Sequence, residues 1–135
     1  MIRTLEFSYG TYRSVDLLRI TLAFHDGILE TAAVLEGEPL SHSFDEAKSS
    51  EIQEKLDQLY LRTWQRIYTP EGMDVLDGYT WNLSYTDSVD PYPSGIAGSN
   101  AYPWCFYKLI RILMELVPES ERLLKPFANE VKCFY

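Results

Sequence analysis

Cysteine is nearly missing from this 135-residue chain, which carries only Cys105 and Cys133. Two are too few for the disulfide framework that staples small secreted domains, so an intracellular protein is the simplest expectation. Cations are scarce as well: 12 Lys and Arg stand against 20 Asp and Glu, a formal net charge of −8. No nucleic-acid partner is expected, because phosphate binding needs clustered Lys and Arg. A long hydrophobic run is also lacking. The most apolar stretch, Trp104 to Val117, is too short for a bilayer and is interrupted by Lys108, Arg111 and Glu115. Met1 to Gly10 holds no apolar segment of the secretory type, only alternating strand-like residues. A cytoplasmic protein without a membrane partner is the expectation. Histidine occurs twice, at His25 and His42, and no His or Cys pair has ligand spacing. No metal and no cofactor are therefore expected. Internal repeats, low-complexity runs and linkers are absent, so residues 1–135 read as one domain.

What the chain does contain is core material. Hydrophobic residues make up 46% and aromatics 14%, enough for a domain of this length to bury roughly two thirds of its unfolded surface. The negative charge is concentrated. Residues 30–57 hold eight acids, Glu30, Glu36, Glu38, Asp45, Glu46, Glu51, Glu54 and Asp57, against Lys48 and Lys55. Such a block is either a solvated face that aids solubility or a patch that steers a basic protein partner.

Hydrophobic periodicity places the elements. Arg3, Leu5, Phe7 and Tyr9 recur at period two and Gly10 punctuates the end, which predicts a first strand. Val15 to Phe24 and Ile28 to Glu36 follow as strands, joined by His25-Asp26-Gly27, whose Asp-Gly pair suits a tight hairpin. Ser43-x-x-Glu46 and Ser50-x-x-Gln53 both have the form of a capping box, and the spacing of Ile52, Leu56, Leu59 and Tyr60 predicts a helix near 45–62. A second hairpin is expected at Asp77-Gly78, between strands at 73–76 and 79–85. Tyr79, Trp81, Leu83 and Tyr85 alternate with Thr80, Asn82 and Ser84 there. Two prolines, two glycines and three serines make 87–100 read as a loop. Pro103 suits the first turn of a helix that runs to Val117, is apolar nearly all round, and stops at Pro118. A short amphipathic segment, Glu119 to Lys125, precedes the tail. The order βββ-α-ββ-α-(α) predicts an α+β fold, an antiparallel sheet of about five strands with two main helices on one face.

No motif specifies a reaction, and no catalytic residue is assigned. Gly95-x-x-Gly98-Ser99-Asn100 runs toward a helix start, where amides can hold an anion, yet it lacks the P-loop lysine. Its ordinary role is positive-φ glycine and a capping Asn100. Cys105 lies in the first turn of the apolar helix with no base near in sequence, and reads as a small core residue. Asp87 and Asp90 fall in the 87–100 loop, where they are either an acid/base pair at a cleft or plain turn residues. The ten tyrosines exceed what a core of this size needs, and tyrosine dominates interface hot spots. Trp64, Trp81 and Trp104 are expected in the core, with some of Tyr9, Tyr12, Tyr85 and Tyr92 exposed. The candidate binding set is thus Tyr85, Asp87, Asp90, Tyr92, Gly98, Asn100 and Tyr102.

The pattern Trp64-x3-Tyr68, Asp77-Gly78-x2-Trp81 and Gly98-x-Asn100-x-Tyr102-Pro103 resembles that of uncharacterised small bacterial proteins. That resemblance implies a shared fold and a bacterial origin, and carries no activity with it. In size, acidity and build the chain is also similar in general character to immunity proteins that neutralise toxins. These readings favour a non-enzymatic interaction domain that meets a basic protein partner through the 30–57 block and surface tyrosines. The alternatives are a small enzyme or ligand-binding protein with a cleft at 87–100, and a homodimer that buries its aromatics against a second copy.

Overall fold

The computed structural model describes residues 1–11, 14, 16–69 and 78–128. The strand expected at 73–76, Asp77 of the second hairpin, Tyr12 and the tail with Cys133 lie outside them. The described residues form an α+β fold built on one mixed sheet. Its strands are β1 (Ile2–Thr11), β2 (Leu18–His25), β3 (Ile28–Leu35), β4 (Glu38–Ser43), β5 (Ile67–Tyr68), β6 (Tyr79–Asp87) and β7 (Ser94–Ser99). They lie in the order β4-β3-β2-β1-β6-β7-β5, so the sheet has seven strands rather than five. All neighbours are antiparallel except β5 and β7. Helices α1 (Glu46–Asp57), α2 (Phe106–Leu116) and the single-turn α3 (Glu121–Leu124) complete the fold.

The half of the sheet from β4 to β1 is made by local turns. Asp26 and Gly27 have φ of +51° and +79°, and Glu36 and Gly37 have +49° and +85°. Positive φ at both central residues is the mirror-image turn whose twist matches that of the flanking strands. The first of these turns was predicted. The second stood in the sequence as the end of a strand, because glutamate seldom takes that conformation. β4 was missed with it. The register explains why Pro39 is tolerated. Leu35 pairs with Glu38 next to the turn and Val34 with Pro39. The proline nitrogen therefore points away from β3, and no ladder bond is lost.

One face of the sheet carries the core. Leu5 and Phe7 of β1, Leu18, Ile20 and Leu22 of β2, and Trp81 and Leu83 of β6 are at most 1% exposed. Each such side chain contributes roughly 1.5–3 kcal/mol by burial. An irregularity between Ile2 and Thr4 shifts the phase of β1. Ile2 is therefore buried and Arg3 exposed, against the simple alternation that put Arg3 with Leu5. Ile52 and Leu56 of α1, and Leu109, Ile110, Leu113 and Leu116 of α2, close over this face. Thr4, Thr21, Ala32, Val34 and Asn82 point the other way and stand exposed, with Arg19 bridging to Glu6 at 3.3 Å among them.

Both helices differ from their expected spans. α1 is capped by Asp45, whose carboxylate accepts the Lys48 amide at 2.8 Å. Neither Ser43, which ends β4, nor Ser50, which lies inside the helix, is the cap. Ser49 anchors α1 instead: its hydroxyl accepts the Leu29 amide at 2.8 Å, just beyond the last β3–β4 pair, and donates to the Asp45 carbonyl. The helix ends at Asp57 because Tyr60 adopts φ of +51°, so Leu59 and Tyr60 continue the apolar spacing without continuing the helix. α2 begins at Phe106, after a turn closed by the Phe106 amide on the Pro103 carbonyl, so Pro103 precedes the helix. Nor is α2 buried all round. Lys108, Arg111 and Glu115 form an exposed strip, and Trp104, expected in the core, is 59% exposed.

Candidate functional site: an aromatic cleft between the helices

The 87–100 segment, the expected wall of a cleft, is largely strand β7. Neither Gly95 nor Gly98 takes the expected positive φ, and Gly98 serves packing. Gly98 lies opposite Trp81, and a Cβ built on Gly98 would stand 2.2 Å from the indole Nε1. Asn100 does not cap α2. It takes φ of +55° and its Oδ1 accepts the Tyr79 amide at 3.0 Å, filling the space beside Gly78. Tyr102 is buried, stacked on Phe106 with centroids 5.1 Å apart and edge-on to Phe127. Tyr85 is also buried, and its hydroxyl has no hydrogen-bond partner among the described residues. Tyr9 is half-buried against Tyr79 and Phe127. Burial in this cluster, reinforced by Tyr102 and Tyr9, pushes the Tyr79 hydroxyl well above the usual range. Of the candidate tyrosines, Tyr92 stands free of the core, at 78% exposure.

Asp87 and Asp90 are turn residues. Asp87 Oδ1 accepts the Val89 and Asp90 amides at 2.8 and 2.7 Å, while Oδ2 takes Arg62 Nε at 2.9 Å. Asp90 accepts the Tyr92 amide at 3.0 Å. The Asp90 amide, then burial working against it, then Arg62 leave the Asp87 carboxyl below its ordinary value. A carboxylate held low stabilises the fold above its unfolded-state value, and that contribution is lost as pH falls through the folded one. Asp87→Asn keeps an acceptor for the two amides and removes the charge. Its deficit in urea midpoint is expected to be largest near neutral pH and to shrink as pH drops below the carboxylate range. A deficit that does not change with pH would show that the charge is idle.

A concave site lies elsewhere, where the end of α1 faces the start of α2. A cavity of about 490 Å³ opens there, within the size range of small-ligand and peptide pockets. Leu59, Trp64, Tyr68, Pro103 and Cys105 supply its apolar lining, and Tyr60 and Trp104 stand exposed beside it. Local geometry fixes each piece. The Trp64 indole donates to the Leu59 carbonyl at 3.0 Å. The amide and hydroxyl of Thr63 both hold the Tyr60 carbonyl in the 3₁₀ turn Leu61–Thr63. The Tyr68 hydroxyl accepts the Gln65 amide, and its ring stacks on Trp81 at 5.9 Å. Trp104 carries the Lys108 ammonium 5.6 Å from its ring centroid.

Tyr60 is unusual in two respects. A bulky residue in left-handed backbone costs roughly 1–2 kcal/mol, and this one leaves 67% of its surface exposed. A left-handed residue just past a helix end is a common way to turn the chain, and here that residue is a tyrosine. Nothing in the sequence marked Tyr60, because its spacing matched the helix; its φ is set by the chain turning out of α1.

The acidic block is dispersed by the fold. Glu36 pairs with Arg122, Glu51 with Lys48 and Lys55, Asp45 caps α1, and Asp57 accepts the Ile2 amide. Glu30, Glu38, Glu46 and Glu54 make no ion pair among the described residues. Among those residues no cluster of three or more His, Cys, Asp or Glu could hold a metal, and no helix is long and apolar enough to cross a membrane. No protein-family model matches the chain, and no curated protein and no solved structure is significantly similar to it.

Proposed function

We propose that the chain is a non-enzymatic docking domain that grips a segment of a partner protein in the cleft between α1 and α2. The observation that carries this reading is the pair of exposed aromatics, Tyr60 and Trp104, beside an apolar cavity. Tyrosine and tryptophan anchors at a concave apolar site are the usual seat of binding energy. Their surroundings are braced by hydrogen bonds, so little ordering cost remains at binding. The acidic surface supports a companion role. Glu30, Glu38, Glu46 and Glu54, unspent in ion pairs among the described residues, would steer a basic partner at long range, as an immunity-type inhibitor would steer a cationic toxin.

Display of random peptides on the chain, counter-selected against Trp104→Ala, tests the reading. Sequences enriched on the natural chain and lost on the variant are expected. Enrichment indifferent to Trp104, or none at all, overturns it. Trp104→Ala is expected to weaken the selected peptides by about 2 kcal/mol or more, roughly thirtyfold. It should change stability by less than about 1 kcal/mol, because the side chain is mostly exposed.

Tyr60 separates strain from binding. Tyr60→Gly removes both the ring and the left-handed penalty, whereas Tyr60→Ala removes only the ring. The glycine variant is expected to be the more stable by roughly 1 kcal/mol in urea unfolding, with peptide binding impaired in both. Equal stabilities would mean that the Tyr60 backbone is unstrained.

A further inference from the structure

The cleft continues as a trough along the two helices, and the trough is electropositive on a chain whose net charge is −8. Among the described residues no acid lines the cavity itself, and Lys108 is its one charged member. The adjoining hollow, about 300 Å³, shares Gln58, Leu59 and Lys108 with it and adds Lys55, Arg111 and Glu115. Lys48 and Lys55 are occupied with Glu51 and Glu115. Lys108 and Arg111 have no carboxylate partner among the described residues; they lie over the Trp104 and Tyr107 rings. Arg111 gives its Nε–H to the Ala128 carbonyl at 3.1 Å, which leaves its terminal guanidinium N–H groups and the Lys108 ammonium to meet a ligand anion. Among the described residues, positive charge and apolar surface thus coincide along this trough.

We infer that the occupant of the cleft is an acidic segment of a partner protein, with an apolar or aromatic anchor between Tyr60 and Trp104 and carboxylates on Lys108 and Arg111. This rests on the docking reading above and names its ligand class. The site's local charge selects for an acidic segment, carried by a partner whose basic remainder is drawn to the acidic surface elsewhere on the chain.

The three indole N–H signals of the ¹⁵N-labelled chain give the readout. Those of Trp64 and Trp81 are tied to the Leu59 and Ala101 carbonyls, leaving Trp104 as the exposed probe. Four ligands are titrated: a tryptophan-free peptide of glutamates with leucine and phenylalanine anchors, the same anchors among glutamines, the same among lysines, and an oligothymidylate. The glutamate peptide is expected to move the Trp104 signal and to bind at least about tenfold more tightly than the glutamine peptide. Raised salt or Lys108→Glu should erase that advantage. If the glutamine or lysine peptide binds Trp104 as well or better, the acidic assignment falls and the docking reading stands. If none of the peptides moves the signal, the docking reading falls too. Movement by the oligonucleotide alone would replace a protein segment with nucleic acid.

Discussion

Replacing Trp81 by alanine is expected to lower the unfolding free energy by roughly 3–5 kcal/mol. Trp81 is the hub of the aromatic core, 1% exposed. Its ring meets Phe106 at 4.7 Å and stacks on Tyr68 at 5.9 Å. Its N–H donates to the Ala101 carbonyl at 2.9 Å, which fixes the chain between β7 and α2. Truncation would leave a ring-sized void and an unanswered buried carbonyl together. Neither neighbour can close the void freely: Phe106 is also held by Phe7 and Tyr102, and Tyr68 by its bond to the Gln65 amide. Domains are commonly stable by only about 5–15 kcal/mol, so the loss would be a large part of the total. Urea unfolding followed by near-ultraviolet dichroism measures it. A loss under about 1 kcal/mol would show that the aromatic layer is not the keystone described.

Gly98→Ala is expected to be nearly as harmful, though it adds only a methyl group. The new Cβ would lie 2.2 and 2.4 Å from two atoms of the Trp81 indole and 2.7 Å from the Ala101 carbonyl oxygen. The carbonyl belongs to the backbone and the indole is bonded to it, so neither yields cheaply. Overpacking of this kind costs roughly 1–3 kcal/mol and at times more; the upper end is expected here. Because the two residues face each other across β6 and β7, the substitutions should couple. Trp81→Ala removes the obstacle that Gly98→Ala meets, so the double variant should lose less than the two single losses together. Strict additivity in that cycle would mean that the methyl group is accommodated by moving the strand rather than by pressing on the ring.

The features legible in the sequence are those whose burial leaves a period. Tyr79, Trp81, Leu83 and Tyr85 alternate because one face of β6 is covered and the other is not. Asp26-Gly27 was readable because its residue types are the ones that accept positive φ. β7 was hidden by its own packing: Gly98 must be glycine to admit Trp81, and Ser94, Gly95 and Ser99 leave Ile96 as its one large apolar side chain. The composition that makes the strand fit is the composition of a loop. Asp87, at a strand end, reads as a turn residue by type, and only the return of the chain shows that Arg62 reaches it from 25 residues away. Trp104 misled because an apolar residue beside a helix start reads as core until the helix is seen to begin at Phe106. The cleft is a meeting of segments some 40 residues apart, and Tyr60 owes its part to a backbone angle that no residue pattern encodes.

Pro39 has a consequence for how the molecule behaves in company. Beyond β4 the sheet presents an outer row in which Pro39 has no N–H to give, and only the alternate residues Ser41 and Ser43 offer amides outward. A foreign strand arriving at that border would find its ladder broken near the hairpin, where pairing would have to begin. Growth of the sheet from chain to chain, the first step toward fibrous aggregates, is thereby discouraged at this margin.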